Sequence, residues 1–223
     1  MPYVFQFNVV WSNLGWLLEG VWITLLVTAI SLLVGAALGL VLGLARLSRH
    51  QWLQAPIRAY IEIFRNTPAL VQLIWVYYCL PILTGIDMSA LVSCSLALTL
   101  YGAAYAAEIF RAGIQSIERG QVEAARAVGL TPFRVMQKIV LPQAIRRMIP
   151  PLVNEAITLL KFSSLVSVLG VGDLTYQAQV LSTTTFRPIE IFTAIAVIYF
   201  VLCSSLAYAS SLLERRMGAW DRR

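Results

Sequence analysis

The sequence predicts an all-α integral membrane protein with five transmembrane helices. Three observations carry this. The 223 residues are 59% hydrophobic and 13% charged, whereas an ordinary soluble domain carries about 25% charged residues. Five apolar stretches approach the roughly 20 residues that a helix needs to cross hydrocarbon. Finally, 15 of the 17 Lys and Arg residues fall in alternate connecting segments, the bias that orients membrane proteins with positive charge inside.

Residues 1–20 are predicted to form an interfacial N-terminal segment. They contain no Lys or Arg, which counts against a secretory signal. Trp11 and Trp16, with Trp22 just beyond, suit a headgroup layer, where an indole meets both apolar and polar surroundings. The transmembrane domain is predicted over 21–213. Its spans are 21–45, 66–86 (entered through Thr67-Pro68), 88–107, 148–170 (interrupted by Glu155 and Lys161) and 191–213. A tail, 214–223, follows.

With the N-terminus outside, the inner segments hold Arg46, Arg49, Arg58 and Arg65, then the seven basic residues of 111–147, then Arg215, Arg216, Arg222 and Arg223. Lys161, within a span, and Arg187, outside, are the exceptions. The basic pI thus reflects topology, and no nucleic-acid partner is expected. Gly35, Gly39 and Gly43 lie four apart on one face of the first span, a spacing that lets another backbone approach.

Several functions are disfavoured. The two lysines, Lys138 and Lys161, do not follow the glycines of a P-loop, which counts against nucleotide hydrolysis by this chain. Cys79, Cys94 and Cys203 lack metal-ligand spacing and lie in apolar segments. His50 beside Arg49 reads as an interfacial histidine. No metalloprotease, serine-hydrolase or paired-aspartate motif occurs, so neither a catalytic residue nor a bound metal or cofactor is expected.

The segment 111–147 is long and polar for a membrane protein. Residues 121–128 are predicted to form a short helix with small residues at Ala124, Ala125 and Ala127. Gly129 can take the left-handed conformation that ends a helix. Thr131 is a good N-cap and Pro132 fits the first helical position. A second helix is predicted from Pro132, stopping near Pro142. The product is a rigid corner between two short helices, a shape suited to docking.

Glu123, Ala124, Ala125, Gly129, Ile139, Leu141 and Pro142 match every fixed position of the EAA loop of ABC-importer permeases. "FRNTPALVQLIWVYY", "AAYAAEIFRAGIQSIERGQ" and "LLKFSSLVSVLGV" further resemble polar amino-acid permeases of the histidine/glutamine/glutamate type, and the resemblance covers nearly the whole chain. It implies a five-helix type I ABC importer permease in a bacterial inner membrane, N-terminus periplasmic and C-terminus cytoplasmic. It implies as partners an ATPase subunit dimer holding ATP and Mg, a second permease subunit (identical or homologous), a periplasmic binding protein and an amino-acid substrate. The EAA loop would be the coupling element.

Charge within a span is expensive and is expected to face protein or water. Asn154, Glu155, Thr158 and Lys161 fall within about a third of a helix circumference at 100° per residue, and Ser163 and Ser164 continue them. The stripe reads either as a substrate path, with partners for an ammonium and a carboxylate, or as a structural pair. Relatives often have Asp directly after the lysine, where Phe162 stands here. Gln72 reads as pore-facing or as an interhelical hydrogen-bonding residue. Glu62 with Arg65, and Glu108 with Arg111, are spaced as local ion pairs or gate residues. A self-contained channel or ion-coupled carrier is the alternative function, although five spans are few for a carrier.

Overall fold

The computed structural model describes residues 3–218, so Arg222 and Arg223 of the expected tail lie outside the described residues. The element order is α1 (Asn8–Ser12), α2 (Leu14–Ala45), α3 (Gln51–Asn66), α4 (Ala69–Ile74), a π turn (Trp75–Cys79), α5 (Leu80–Thr84), α6 (Ala90–Gln115), α7 (Arg119–Ala127), α8 (Pro132–Val135), a second π turn (Met136–Val140), α9 (Leu141–Phe162), a 3-10 segment (Ser163–Leu169), α10 (Leu174–Thr185) and α11 (Pro188–Gly218). Among the described residues there is no strand.

Four helical stretches are long and apolar enough to cross a membrane: Leu14–Ala45, Ala90–Gln115, Pro132–Leu169 and Pro188–Leu213. The second expected span, 66–86, is not one straight helix: its apolar part forms the later limb of a bent pair, Gln51–Asn66 with Ala69–Thr84, turned through 112°. The residue before a proline is driven from the helical region, and Thr67 accordingly sits at φ −116°, ψ 145°. Gln72 closes this elbow. Its Nε2 donates to Phe64 O at 2.8 Å and to Thr67 Oγ1 at 2.7 Å.

The helix expected to stop near Pro142 does not stop. Proline has no N–H, and its ring collides with the carbonyl four residues back. A wider turn removes the collision: the Leu141 N–H reaches back five residues to Met136 O. Leu80 and Pro81 repeat the arrangement, the Leu80 N–H reaching Trp75 O. The polar loop and the fourth span are therefore continuous, and that span begins well before Met148. The third span also outruns its expected end at Ala107. Arg111 Nε donates to Glu108 at 2.9 Å, a pairing that supports helix three residues apart.

Packing is inverted relative to a soluble protein. α2 buries its small residues, Gly20, Thr24, Thr28, Ser31, Gly35, Gly39 and Gly43, and exposes Leu33 and Val41. Leucine gains little by leaving lipid, whereas small residues let backbones close up and gain dispersion contacts. The predicted glycine seam is filled by α6. A Cβ at Gly39 would lie 2.5 Å from Ala106 Cβ and 2.9 Å from Ala103 O, and one at Gly43 2.7 Å from Ala107 O. α6 is the central span, with 61% of its most apolar stretch buried, against 28% for α2 and 17% for α11.

Candidate functional site

Two polar regions stand out. The first is the knob formed by α7, the corner and α8. Gly129 takes φ +83°, as its sequence position predicted. The Gly129 N–H bonds to Arg126 O at 2.9 Å and the Leu130 N–H to Ala125 O at 3.2 Å, the paired bonds of a Schellman motif. Leu130 packs with Ala125 in the cluster beneath, adding the apolar contact that often accompanies that motif. Thr131 caps the next helix, its Oγ1 accepting from the Arg134 N–H at 3.4 Å, and Pro132 takes the first turn.

The knob has a buried underside and an exposed tip. Ile117, Ala125, Val135, Val140, Ala144 and Met148 form one core. Glu123 and Ala124 are exposed, as are Val128 at 78% and Phe133 at 75%. Two large apolar side chains thus stand on the exposed side of a polar loop. Of the remaining motif residues, Leu141 and Pro142 are exposed and Ile139 is half-buried.

The second region is the fourth span. The stripe read from the sequence divides in two. Glu155 and Ser163 are buried, whereas Asn154 and Lys161 are exposed. Thr158 and Ser164 turn their hydroxyls to the backbone, donating to Asn154 O at 3.0 Å and Lys161 O at 2.7 Å. Lys161 and Ser164 instead line a cleft of about 410 Å³ with Tyr199 and Cys203. Glu155 Oε1 is buried without a hydrogen-bond partner. Among the described residues no salt bridge joins Glu155 to Lys161.

An aromatic cluster joins the end of this span to α6. Tyr101 stacks on Tyr105 with centroids 4.6 Å apart and meets the Phe162 ring edge-on at 5.3 Å. Phe162 thus belongs to this cluster. The expected Glu62–Arg65 pair is not formed. Glu62 pairs with Arg58 at 2.7 Å, one full turn away. Arg65 lies 5.2 Å from the Tyr105 ring centroid, because a weakly hydrated guanidinium can stack on an aromatic face. The Glu108–Arg111 pair is formed.

Two further polar centres were missed by sequence reading. Asp173 is fully buried and caps α10, accepting from the Thr175 and Tyr176 N–H groups at 3.1 and 3.0 Å. Burial pushes its carboxyl up to about 6, against the opposing pull of those two N–H groups. The neighbouring Leu174 N–H reaches Thr24 at 3.2 Å, which ties α10 to α2. An Asp directly before an apolar run is a readable N-cap signal. Glu190, also fully buried, accepts from the Gln6 N–H at 2.9 Å and from the Tyr3 hydroxyl. Arg187 donates to Val4 O at 2.8 Å, so the N-terminal segment is bound to the start of α11.

Known proteins share this fold. The family model for the binding-protein-dependent transport system inner membrane component matches residues 35–219. The arginine transport system permease protein ArtQ of Bacillus subtilis (strain 168) is 36% identical over 216 residues, 97% of this chain and 99% of its own length. The octopine transport system permease protein OccM of Rhizobium meliloti is 38% identical over 221 residues, 96% of this chain and 89% of its own. A solved structure described as the crystal structure of an amino acid ABC transporter with histidines superposes with a TM-score of 0.91 at 37% identity, covering 96% of this chain and 100% of that one. The methionine ABC transporter MetNI, at 24% identity and a TM-score of 0.77, shares the fold. On the family match and these identities, the chain belongs to the binding-protein-dependent transport system inner membrane components.

Proposed function

We propose that this chain is the permease subunit of an ATP-driven importer that moves a polar amino acid handed over by a periplasmic binding protein. The observation that carries the reading is the knob: a stiff, doubly hydrogen-bonded corner at Gly129, with an apolar tip at Val128 and Phe133, joined to the helix that holds Glu155. The knob docks in a separate ATPase subunit. ATP and Mg act there, and this chain supplies only a lever. Two ATPase subunits and a second permease complete the complex. The relatives named above, with arginine, octopine and amino acid in their descriptions, support an amino-acid substrate.

Within the span, Glu155 is the contact for the substrate ammonium. A buried carboxylate with an unpartnered oxygen is unstable unless something donates to it, and an ammonium supplies charge and hydrogen bonds together. Copurification of the ATPase, followed by binding-protein-dependent ATP hydrolysis and uptake across a panel of amino acids, tests the whole assignment. Uptake without the ATPase would refute it. The orientation is tested separately. A reporter fused after Arg223 should be active only in its cytoplasmic form, and a periplasmically active fusion would overturn the N-out topology.

Gly129→Val should uncouple transport. A β-branched residue at positive φ costs about 1–3 kcal/mol, so the corner opens. The variant is expected to insert and accumulate normally while uptake per ATP falls. Normal uptake per ATP would show that the corner transmits no motion.

A further inference from the structure

The knob transmits force only if it moves as one body with α9, and the single backbone path through the π turn is not the only link between them. Three contacts hold α9, one to the knob itself and two to the end of α6 that leads into it. Gln143 Nε2 donates to Gln121 Oε1 at 2.7 Å. Arg147 Nη1 donates to Ser116 O at 2.5 Å. Met148 fills the space left by Gly113, where a Cβ would lie 2.4 Å from Met148 Cγ.

The chemistry of each contact suits a strut. Ser116 is the C-cap of α6, where carbonyls lack helical partners and the helix dipole is negative. A guanidinium satisfies both needs. The Gln143 amide bonds α7 while also holding Ile139 O at 2.9 Å, within the π turn where the helix is widest. Gln143 and Arg147 lie one turn apart on α9, so both act from the same face. None of Gln121, Gln143, Ser116 and Arg147 belongs to the fixed EAA positions.

We propose that Gln143 and Arg147 are positioning residues for transport, Gln143 locking the knob to α9 and Arg147 locking α9 to the end of α6 that carries the knob, so that movement at the knob's tip is delivered to the span holding Glu155. This rests on the coupling role proposed above for the knob. Gln143→Ala in the assembled complex should leave assembly and ATP hydrolysis intact and lower uptake per ATP about two- to tenfold, the range covered by one lost neutral hydrogen bond. The double variant Gln121→Glu with Gln143→Lys restores a bond across the same gap and should recover uptake per ATP.

A second measurement does not depend on the ATPase. With Cys79, Cys94 and Cys203 replaced by Ala, spin labels at Val128 and Ile145 report the distance between knob and α9. Gln143→Ala should broaden that distribution and Gln121→Glu with Gln143→Lys should narrow it, while Arg147→Ala should broaden the distance between labels at Ala112 on α6 and Ile145 on α9. An unchanged distribution, or a double variant no better than Gln143→Ala, overturns the lock. A broadened distribution with unchanged uptake per ATP keeps the lock but overturns the coupling role of the knob.

Discussion

Glu155→Gln is expected to raise the half-saturation concentration for uptake roughly 10- to 150-fold, which is the loss of one charge-assisted hydrogen bond of about 1.5–3 kcal/mol. The substitution keeps size and hydrogen-bonding capacity and removes charge. Its effect separates two roles. Were Glu155 the structural partner of Lys161, the variant would assemble poorly, since its partner would be left as an unpaired charge within the span. The two side chains do not meet, because Lys161 is exposed and Glu155 is buried. Normal yield of the complex with raised half-saturation is therefore the expected pair of results. Normal yield with unchanged uptake would remove Glu155 from the path and shift the substrate contact to the partner permease.

Gly39→Val is expected to prevent accumulation of folded protein. Its Cβ would lie 2.9 Å from both Ala103 O and Ala107 N, backbone atoms of the central helix that cannot step aside. Overpacking by a side chain costs about 1–3 kcal/mol when neighbours can shift and more when they cannot. Here the seam between α2 and α6 must open along its length. Gly15→Val is the matched control, since a Cβ there meets nothing within 4 Å. Yield and thermal unfolding in detergent should be close to the parent for Gly15→Val and collapse for Gly39→Val. Equal behaviour of the two would show that the seam is not close-packed.

The parts legible in the sequence are those fixed by neighbours along the chain. The Gly129 corner, the Thr131 cap and the Pro132 start need only local sterics and hydrogen bonding. The glycine seam is legible for a related reason: a spacing of four keeps small residues on one face of a helix. The misreadings depended on residues far away in sequence. Spacing alone made Arg65 a partner for Glu62, but Tyr105 is on α6 and takes the guanidinium. Angular bookkeeping put Glu155 and Lys161 on one stripe, but the neighbouring helices bury one and leave the other exposed. Pro142 read as a stop because a proline ends an α-helix of ordinary pitch, and nothing in a residue count shows that the preceding turn will widen.

That widened turn fixes an angle as well as a path. A π turn holds one residue more than the α turn it replaces, and each residue carries about 100° of rotation and about 1.5 Å of rise. The extra residue within Met136–Val140 therefore sets the compass bearing of the knob relative to Glu155, much as a single tooth sets the timing of two meshed gears. Substitutions in this turn change its chemistry, whereas the loss of one residue would swing the knob by more than a quarter of a revolution while leaving every motif residue present. A deletion in Met136–Val140 is therefore expected to cost more transport than any single side-chain exchange there, and uptake by the two kinds of variant compares them directly.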